Sequence, residues 1–268
     1  MLHQKYPKVK EIIRKIKAKS GFIIDMDGVI YHGNRLLNGV TDFLKWMEKE
    51  GKQYLFLTNS SERTPKELHE KLKRLGIDVS EDHFYTSALA TASFLSSQKP
   101  NGSAFIIGDA GLINALYTVG YSTNNVNPDY VVVGETHDYN FEKIEIAVNL
   151  VLKGARLIGT NSDISGPVED GITPSTKALI APIEIVTGRK AYFVGKPNPL
   201  MMRIALKKLG LKREDAIIIG DRMDTDIICG LESEIDTLLV LSGITSKEDI
   251  DKFPYRPHYV LNGLIDLV

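Results

Sequence analysis

The sequence predicts an α/β fold in which a doubly wound parallel sheet forms a core and a smaller α/β domain is inserted into it. Short apolar runs rich in β-branched residues alternate with segments of helical periodicity. Continuous apolar strands that alternate with helices indicate a parallel sheet covered on both faces. A second set of such strands and helices occupies the middle of the chain, and 268 residues are enough for two domains.

The predicted core elements lie in the first and last parts of the sequence. Strands are predicted over 21–25, 54–58, 192–194, 216–219 and 237–241. Helices are predicted over 40–50, 65–75, 199–209 and 224–232. Pro65 suits the first turn of its helix and Gly76 suits the cap that ends it.

The middle of the chain predicts a second β/α set, which we call the cap. Its strands are predicted over 104–107, 130–133 and 157–158, and its helices over 88–95, 112–119 and 141–153. We place the limits near Tyr85 and Ile183, so that 1–84 and 183–268 form the core and 85–182 form the cap.

Charge and composition restrict the class of partner. The chain has 33 Lys and Arg against 34 Asp and Glu, so no strong field attracts a nucleic-acid polymer or an anionic membrane. Cys229 is the only cysteine, which excludes an intrachain disulfide and a zinc site built on paired thiolates and agrees with a reducing cytoplasm.

A basic stretch from Lys5 to Lys19 opens the sequence and carries a thin apolar stripe. It predicts a helix packed on the first strand, and a weak association with an acidic surface is the alternative. No apolar run in it is long enough for a signal-peptide core or a membrane span.

Reactive polar residues follow four of the predicted core strands. These segments are Asp25-Met26-Asp27-Gly28, Thr58-Asn59-Ser60, Gly195-Lys196-Pro197 and Gly220-Asp221-Arg222-Met223-Asp224-Thr225-Asp226. Each alone is weak, because Asp, Thr and Gly are common in turns and helix caps. Together they predict a cluster, since the carboxyl ends of parallel strands form the crevice in which ligands bind.

Such a cluster suits a phosphate and a hard divalent cation. Clustered carboxylates resist ionising together unless a cation offsets them, and Mg²⁺ prefers oxygen ligands. Asp25 and Asp221 are the expected side-chain ligands, and Asp25 could attack phosphorus to give an aspartyl phosphate. Asp27, turned toward the leaving group at Gly28, could transfer protons.

Three further residues are candidates for binding the phosphate: Thr58, Asn59 and Lys196. Thr58 and Lys196 would hydrogen-bond and neutralise the phosphoryl oxygens, where charge accumulates during transfer. Asn59 could also orient a neighbouring carboxylate or satisfy the backbone of its turn.

In their order and residues, these four segments resemble the four motifs of haloacid dehalogenase (HAD) superfamily phosphatases. Four stretches between the second and third motifs look like the subgroup with a large α/β (type C2) cap, the NagD-type nucleotide phosphatases. They are 85–91, Asn127-Pro128-Asp129, Val133-Gly134-Glu135-Thr136 and Thr187-Gly188-Arg189-Lys190.

The resemblance implies a role for each motif residue. It assigns Asp25 as the nucleophile and Asp27 as the acid and base, with Thr58 and Lys196 binding phosphate. Mg²⁺ would take Asp25, the backbone carbonyl of Asp27 and Asp221, with Asp226 supporting this set from outside it. The superfamily's phosphatases have Asp at the position of Asp27, which favours hydrolysis.

The cap departs from the resemblance at one place. Asn161-Ser162-Asp163 stands where several relatives have Asn-Pro-Asp, and Asn161 and Asp163 are candidates for contact with the leaving group. The departure bears on the choice of substrate and leaves the reaction unaffected.

The function expected from the sequence is Mg²⁺-dependent hydrolysis of small phosphomonoesters, most of all nucleoside monophosphates, by a cytoplasmic enzyme that could form a homodimer. Sugar phosphates or other small phosphorylated metabolites are alternative substrates, and transfer to an acceptor hydroxyl is an alternative reaction. A phosphorylation-dependent switch, which would hold its aspartyl phosphate, and a nucleotide-binding module without catalysis are the remaining alternatives.

Overall fold

The computed structural model describes residues 6–168 and 170–268, which form two compact units. The first unit contains the described residues up to Thr58 together with Lys73–Asp78 and Met202–Val268. The second contains Asn59–Leu72 and Val79–Met201. The predicted core and cap limits near Tyr85 and Ile183 stay a prediction.

The first unit is built on five neighbouring parallel strands. Their residues follow continuous apolar runs, and Phe22, Ile23 and Ile24 of the central strand are fully buried. This agrees with a parallel sheet covered on both faces. In their order across the sheet, the strands are Tyr259–Leu261, Asp236–Val240, Ala216–Gly220, Gly21–Ile24 and Gln53–Thr58.

Helices and turns follow these strands along the chain. Val40–Lys49 buries one apolar face, on which Phe43 and Trp46 form an aromatic cluster with Phe22. The predicted helix over 224–232 is instead a π-helical turn, Met223–Ile227, followed by a short α-helix, Ile228–Glu232. The helix Tyr6–Ala18 also belongs to the first unit, and the helices Pro65–Arg74 and Pro199–Leu209 include residues of both units. The predicted basic stretch begins at Lys5, which lies outside the described residues.

The second unit contains a five-stranded parallel sheet. Its order is Tyr192–Phe193, Arg156–Gly159, Tyr130–Val133, Ser103–Ile107 and Ser122–Thr123. The prediction that the strand over 192–194 belongs to the core sheet is wrong, because Phe193 pairs with Gly159. A strand of two residues carries too little pattern to specify which sheet it joins.

Four helices of the second unit are Ser87–Gln98, Ala110–Thr118, Phe141–Leu152 and Thr176–Thr187. Side-chain caps begin two of them: Thr86 accepts from the amide of Leu89, and Asn140 from that of Lys143. The sequence analysis missed the helix Thr176–Thr187, which contains Pro182, and the hairpin Ser165–Val168 with Gly171–Pro174 before it. The short strand Phe84–Thr86 also belongs to the second unit. In the first unit, the short strands Tyr31–His32 and Arg35–Leu36 pair with each other.

Within the described part of the chain, no helix is both long enough and apolar enough to cross a bilayer.

Candidate active site

Three strand ends of the first unit bring polar side chains to one edge of its sheet. Ile24 lies in register with Ile219 on one side and Phe56 on the other. The next residue, Asp25, continues this pairing by donating its backbone amide to the carbonyl of Ile219 over 2.8 Å. Thr58 therefore ends its strand at the same edge as Asp25, and Asp221 follows Gly220 there.

Three carboxylates form a cluster at this edge. One oxygen each of Asp25, Asp221 and Asp226 lies within 4.8 Å of the others, and the three residues are 9%, 2% and 1% exposed. Carboxylates this close repel one another, and burial increases the repulsion. Because all the donors are carboxylate oxygens, the cluster fits a hard cation such as Mg²⁺.

The loop after the neighbouring strand Asp236–Val240 fixes the carboxylate of Asp221. The backbone amide of Ile244 donates to Asp221 Oδ2 over 2.7 Å. A Cβ on Gly243 would lie 2.0 Å from this oxygen, and one on Gly28 would lie 2.5 Å from it. Gly28 also has a φ of +76°, a conformation that favours glycine. Both glycines thus leave the space that the carboxylate occupies.

Asp226 lies in the π-helical turn Met223–Ile227. Its Oδ2 accepts from the backbone amide of Arg222 over 3.2 Å, which keeps the side chain turned back toward Gly220. The sequence placed Asp226 in a supporting role, yet the geometry makes it a member of the cluster alongside Asp25 and Asp221. The π-helical turn is a local irregularity that the sequence pattern did not reveal.

Asp27 is exposed, whereas the three carboxylates of the cluster are buried. It occupies the turn after the strand, where the amide of Gly28 donates to the carbonyl of Tyr31 over 2.9 Å and that of Ile30 to Met26 over 2.8 Å. These bonds fix the backbone on both sides of Asp27, and the residue itself is exposed.

In the second unit, the side chain of Asn59 holds the backbone of Lys196. Asn59 Oδ1 accepts from the amide of Lys196 over 2.8 Å, and its Nδ2 donates to the carbonyl of Lys196 over 3.0 Å. Nδ2 also donates to Asp163 Oδ2 over 2.9 Å. Both amide hydrogens of Asn59 are therefore directed to protein atoms, which favours a role in positioning Lys196 over direct contact with phosphate.

The two cap candidates from the sequence lie in the same network. Asn161 is 0% exposed, and its Nδ2 donates to the carbonyl of Asn59 over 2.8 Å. Its Oδ1 accepts from the amide of Asp163 over 3.1 Å. These contacts favour a structural role for Asn161, while Asp163 remains partly exposed.

The chain is similar in sequence to proteins of a known family. A model of haloacid dehalogenase-like hydrolases matches residues 22–122, and a HAD-hydrolase-like model matches residues 193–267. The dihydroxyacetone phosphatase of Corynebacterium glutamicum (strain R) is 44% identical over 246 residues, 92% of this chain and 90% of that protein. The ribonucleotide monophosphatase NagD of Escherichia coli (strain K12) is 40% identical over 245 residues, 91% of this chain and 96% of that protein.

The chain belongs to the haloacid dehalogenase-like hydrolase family. The solved structure of NagD from E. coli K-12 superposes with a TM-score of 0.87 at 40% identity, over 92% of this chain and 98% of that one. The predicted α/β fold and the resemblance to NagD-like HAD phosphatases are thereby confirmed.

In this NagD-like family member, the sequence placed Glu135 in a stretch that resembles the family but assigned it no role. Its carboxylate accepts from the backbone amide of Ser61 over 2.9 Å and from Ser175 Oγ over 2.7 Å. Burial raises the pKa of Glu135, and the carboxylates of Glu62 and Asp163 raise it further, while the donors from Ser175 and Ser61 oppose the shift. The available signal was a glutamate directly after the strand Tyr130–Val133 and Gly134.

Proposed function

We propose that the protein hydrolyses small phosphomonoesters with the help of Mg²⁺ and through a phosphoaspartate on Asp25. The observation that carries this proposal is the buried cluster of Asp25, Asp221 and Asp226. Asp25 and Asp221, with the backbone carbonyl of Asp27, would hold the ion, and Asp226 would support them. Bound there, Mg²⁺ would offset the negative charge of carboxylates and phosphate, which otherwise repel.

Two carboxylates divide the chemical work. A carboxylate oxygen of Asp25 forms a bond to phosphorus as the ester oxygen leaves, and Asp27 donates a proton to that oxygen. Asp27, now ionised, then accepts a proton from the water that attacks the phosphoaspartate. This step releases orthophosphate and restores Asp25. The exposure of Asp27 supports its exchange of protons with leaving group and water.

Two further side chains would bind the phosphoryl group. The hydroxyl of Thr58 would donate to a phosphoryl oxygen, and the ammonium of Lys196 would neutralise charge that develops during transfer. Asn59, predicted from the sequence as a phosphate ligand, would act instead by fixing the backbone of Lys196.

The substrate class we propose is small phosphorylated metabolites, with nucleoside monophosphates first. The names of the relatives support this class and widen it, since they include a ribonucleotide monophosphatase and a dihydroxyacetone phosphatase. Acid sugar phosphatases are also among them. The cytoplasmic location and the homodimer remain predictions from the sequence.

The test is phosphate release from a panel of nucleoside monophosphates, sugar phosphates and dihydroxyacetone phosphate, with Mg²⁺ or with EDTA. We expect turnover by the wild type with Mg²⁺ and at least a ~10³-fold loss in Asp25→Asn, which lacks the nucleophile. Asp251→Asn serves as the matched control, because Asp251 is exposed and its side chain pairs with Arg256 at the surface.

The same experiment separates hydrolysis from its rivals. Acid quenching during turnover traps the aspartyl phosphate. In a phosphatase, this intermediate is hydrolysed within the time of one turnover. A long-lived phosphoaspartate without phosphate release would point to a switch, and transfer to added glycerol in preference to water would point to a phosphotransferase. Absence of turnover on every substrate by the folded wild type would contradict the proposal.

A further inference from the structure

The carboxylate of Glu135 is surrounded by hydrogen-bond donors from three separate segments. Oε1 accepts from Ser175 Oγ over 2.7 Å and from Asn161 Nδ2 over 3.2 Å. Oε2 accepts from the amide of Ser61 over 2.9 Å and lies 3.4 Å from its hydroxyl. Both oxygens of Glu135 are thus occupied by hydrogen-bonding groups of the protein.

Two routes lead from this carboxylate to Lys196. Ser61 comes two residues after Asn59, so the bond to its amide fixes the turn that carries Asn59. Asn161 donates through one Nδ2 both to Glu135 and to the carbonyl of Asn59. Asn59 in turn holds the amide and the carbonyl of Lys196. Glu135 is therefore two hydrogen bonds from the backbone of Lys196 through Ser61, and three through Asn161.

The packing around these contacts leaves little room for another arrangement. A Cβ on Gly134 would lie 2.7 Å from Ser61 Oγ. A Cβ on Gly195 would lie 2.6 Å from the carbonyl oxygen of Thr160 and 2.8 Å from Asn59 Oδ1. Because glycine lets these segments approach so closely, a shift of Ser61 or Asn59 would be passed on to Lys196.

Stability alone gives a weak account of this glutamate. A buried carboxylate costs free energy even when it is hydrogen-bonded, and the nearby carboxylates of Glu62 and Asp163 add repulsion. The network it holds together ends on the residue assigned to the phosphoryl group. A positioning role explains why an acidic side chain is buried at this point despite its cost.

We propose that Glu135 is a positioning residue for phosphate binding: it fixes Ser61 and Asn161, and through Asn59 it holds the backbone of Lys196 in place. This role rests on the proposed phosphatase function. It assigns to Glu135 no contact with substrate or metal.

The test compares Glu135→Gln with a matched carboxylate, Glu184→Gln. Glu184 is also in the second unit, accepts from the amide of Ala191 over 2.8 Å, and has a side chain that is 16% exposed. Gln at 135 keeps the size of the side chain but turns an NH₂ group toward donors. We expect the kcat/KM of Glu135→Gln to fall about 10- to 100-fold, as for other small misplacements of catalytic groups. The kcat/KM of Glu184→Gln should stay within about twofold of the wild-type value.

A double-mutant cycle distinguishes positioning from a general loss of structure. If Glu135 acts through Asn59, Glu135→Gln should cost less than about twofold in kcat/KM when added to Asn59→Ala. The inhibition constant of orthophosphate should rise in both single variants, and the unfolding midpoint of each variant shows that it is folded.

Two results would overturn the inference while the wild type remains active. One is a Glu135→Gln enzyme with the kcat/KM of Glu184→Gln, and the other is full additivity of Glu135→Gln with Asn59→Ala. Absence of activity in the wild type, by contrast, would contradict the proposed function, and the positioning role would fall with it.

Discussion

At the scale of single residues, the position of Asp221 depends on neighbouring glycines, which have no side chains to fill the space its carboxylate occupies. Its Oδ2 accepts from the amide of Ile244 and occupies the space that a side chain on Gly243 would fill. The hydroxyl of Ser242 donates to the carbonyl of Gly28 over 2.7 Å and so ties together the two loops that border this carboxylate. The proposed metal ligand is thus oriented mainly by backbone groups, whose positions do not depend on a side-chain rotamer.

Gly243→Ala should therefore weaken Mg²⁺ binding. Its Cβ would lie 2.0 Å from Asp221 Oδ2, so the carboxylate must rotate and give up the bond from Ile244. We expect the Mg²⁺ concentration for half-maximal activity to rise about 10- to 100-fold, as when other groups that orient metal ligands are lost. A titration of activity with Mg²⁺ measures this.

Gly263→Ala is the control, because its Cβ would meet Ser242 Cβ at 3.7 Å, an ordinary contact. An unchanged Mg²⁺ requirement in Gly243→Ala would show that Asp221 does not bind the ion in the orientation seen here.

At the scale of elements, tight helix packing positions the segment after Asn59. Gly111 lies in the helix Ala110–Thr118, and its amide donates to the carbonyl of Glu62 over 2.8 Å. A Cβ on Gly111 would lie 2.5 Å from the carbonyl oxygen of Ser61 and 2.7 Å from that of Arg63. The helix thus contacts the backbone of this segment directly.

Gly111→Ala sets two effects against each other. Helix propensity alone would stabilise the protein by about 0.8–1.0 kcal/mol, since alanine is the better helix former. The clash is with backbone that cannot rotate away, and overpacking of this kind costs about 1–3 kcal/mol. We expect a net loss in the free energy of unfolding by urea, together with a lower kcat/KM because Ser61 is displaced.

Gly166→Ala is its control, since the nearest atom to the added Cβ would be 4.0 Å away. A Gly111→Ala protein more stable than the wild type would contradict the close contact described here.

The elements also show where sequence patterns suffice. The strand Gly21–Ile24 and the helix Val40–Lys49 follow local apolar patterns, and the sequence predicts both within a residue or two. The sheet joined by Tyr192–Phe193 depends instead on pairing with Arg156–Gly159, a distant segment that no local pattern specifies. The helix Thr176–Thr187 was missed because Pro182 in its interior reads as a helix breaker.

The residues of the candidate site also fall into two groups, one that the sequence could predict and one that it could not. Asp25, Thr58 and Asp221 follow directly from their strands, so predicting the strands predicts that these residues share an edge. The contact of Glu135 with Ser61 joins residues 74 positions apart, and that of Asn59 with Lys196 joins residues 137 apart. Such contacts depend on how several segments pack, which a single sequence does not display.

At the scale of the whole molecule, the proposed metal binding by the carboxylate cluster would be linked to folding. Asp25, Asp221 and Asp226 are brought together only by the folded chain, so their repulsion opposes folding and a bound cation relieves it. A ligand that binds only the folded state stabilises it by about 2.7 kcal/mol at a hundred times its dissociation constant. The unfolding midpoint of the wild type should therefore rise with added Mg²⁺.

Asp226→Asn tests this linkage because its effect on the unfolding midpoint should depend on the metal. In EDTA, removal of one charge lessens the repulsion, while Asn can still accept from the amide of Arg222, so the variant should unfold at a higher temperature than the wild type. With saturating Mg²⁺, the unfolding midpoint of the variant should rise by less than that of the wild type. The difference between the two midpoints should therefore shrink or change sign. Thermal unfolding of both proteins at several Mg²⁺ concentrations measures this, with Asp251→Asn as the exposed control. A lower midpoint for Asp226→Asn in EDTA would mean that the buried charges do not oppose folding, and an equal gain from Mg²⁺ in both proteins would remove Asp226 from the metal site.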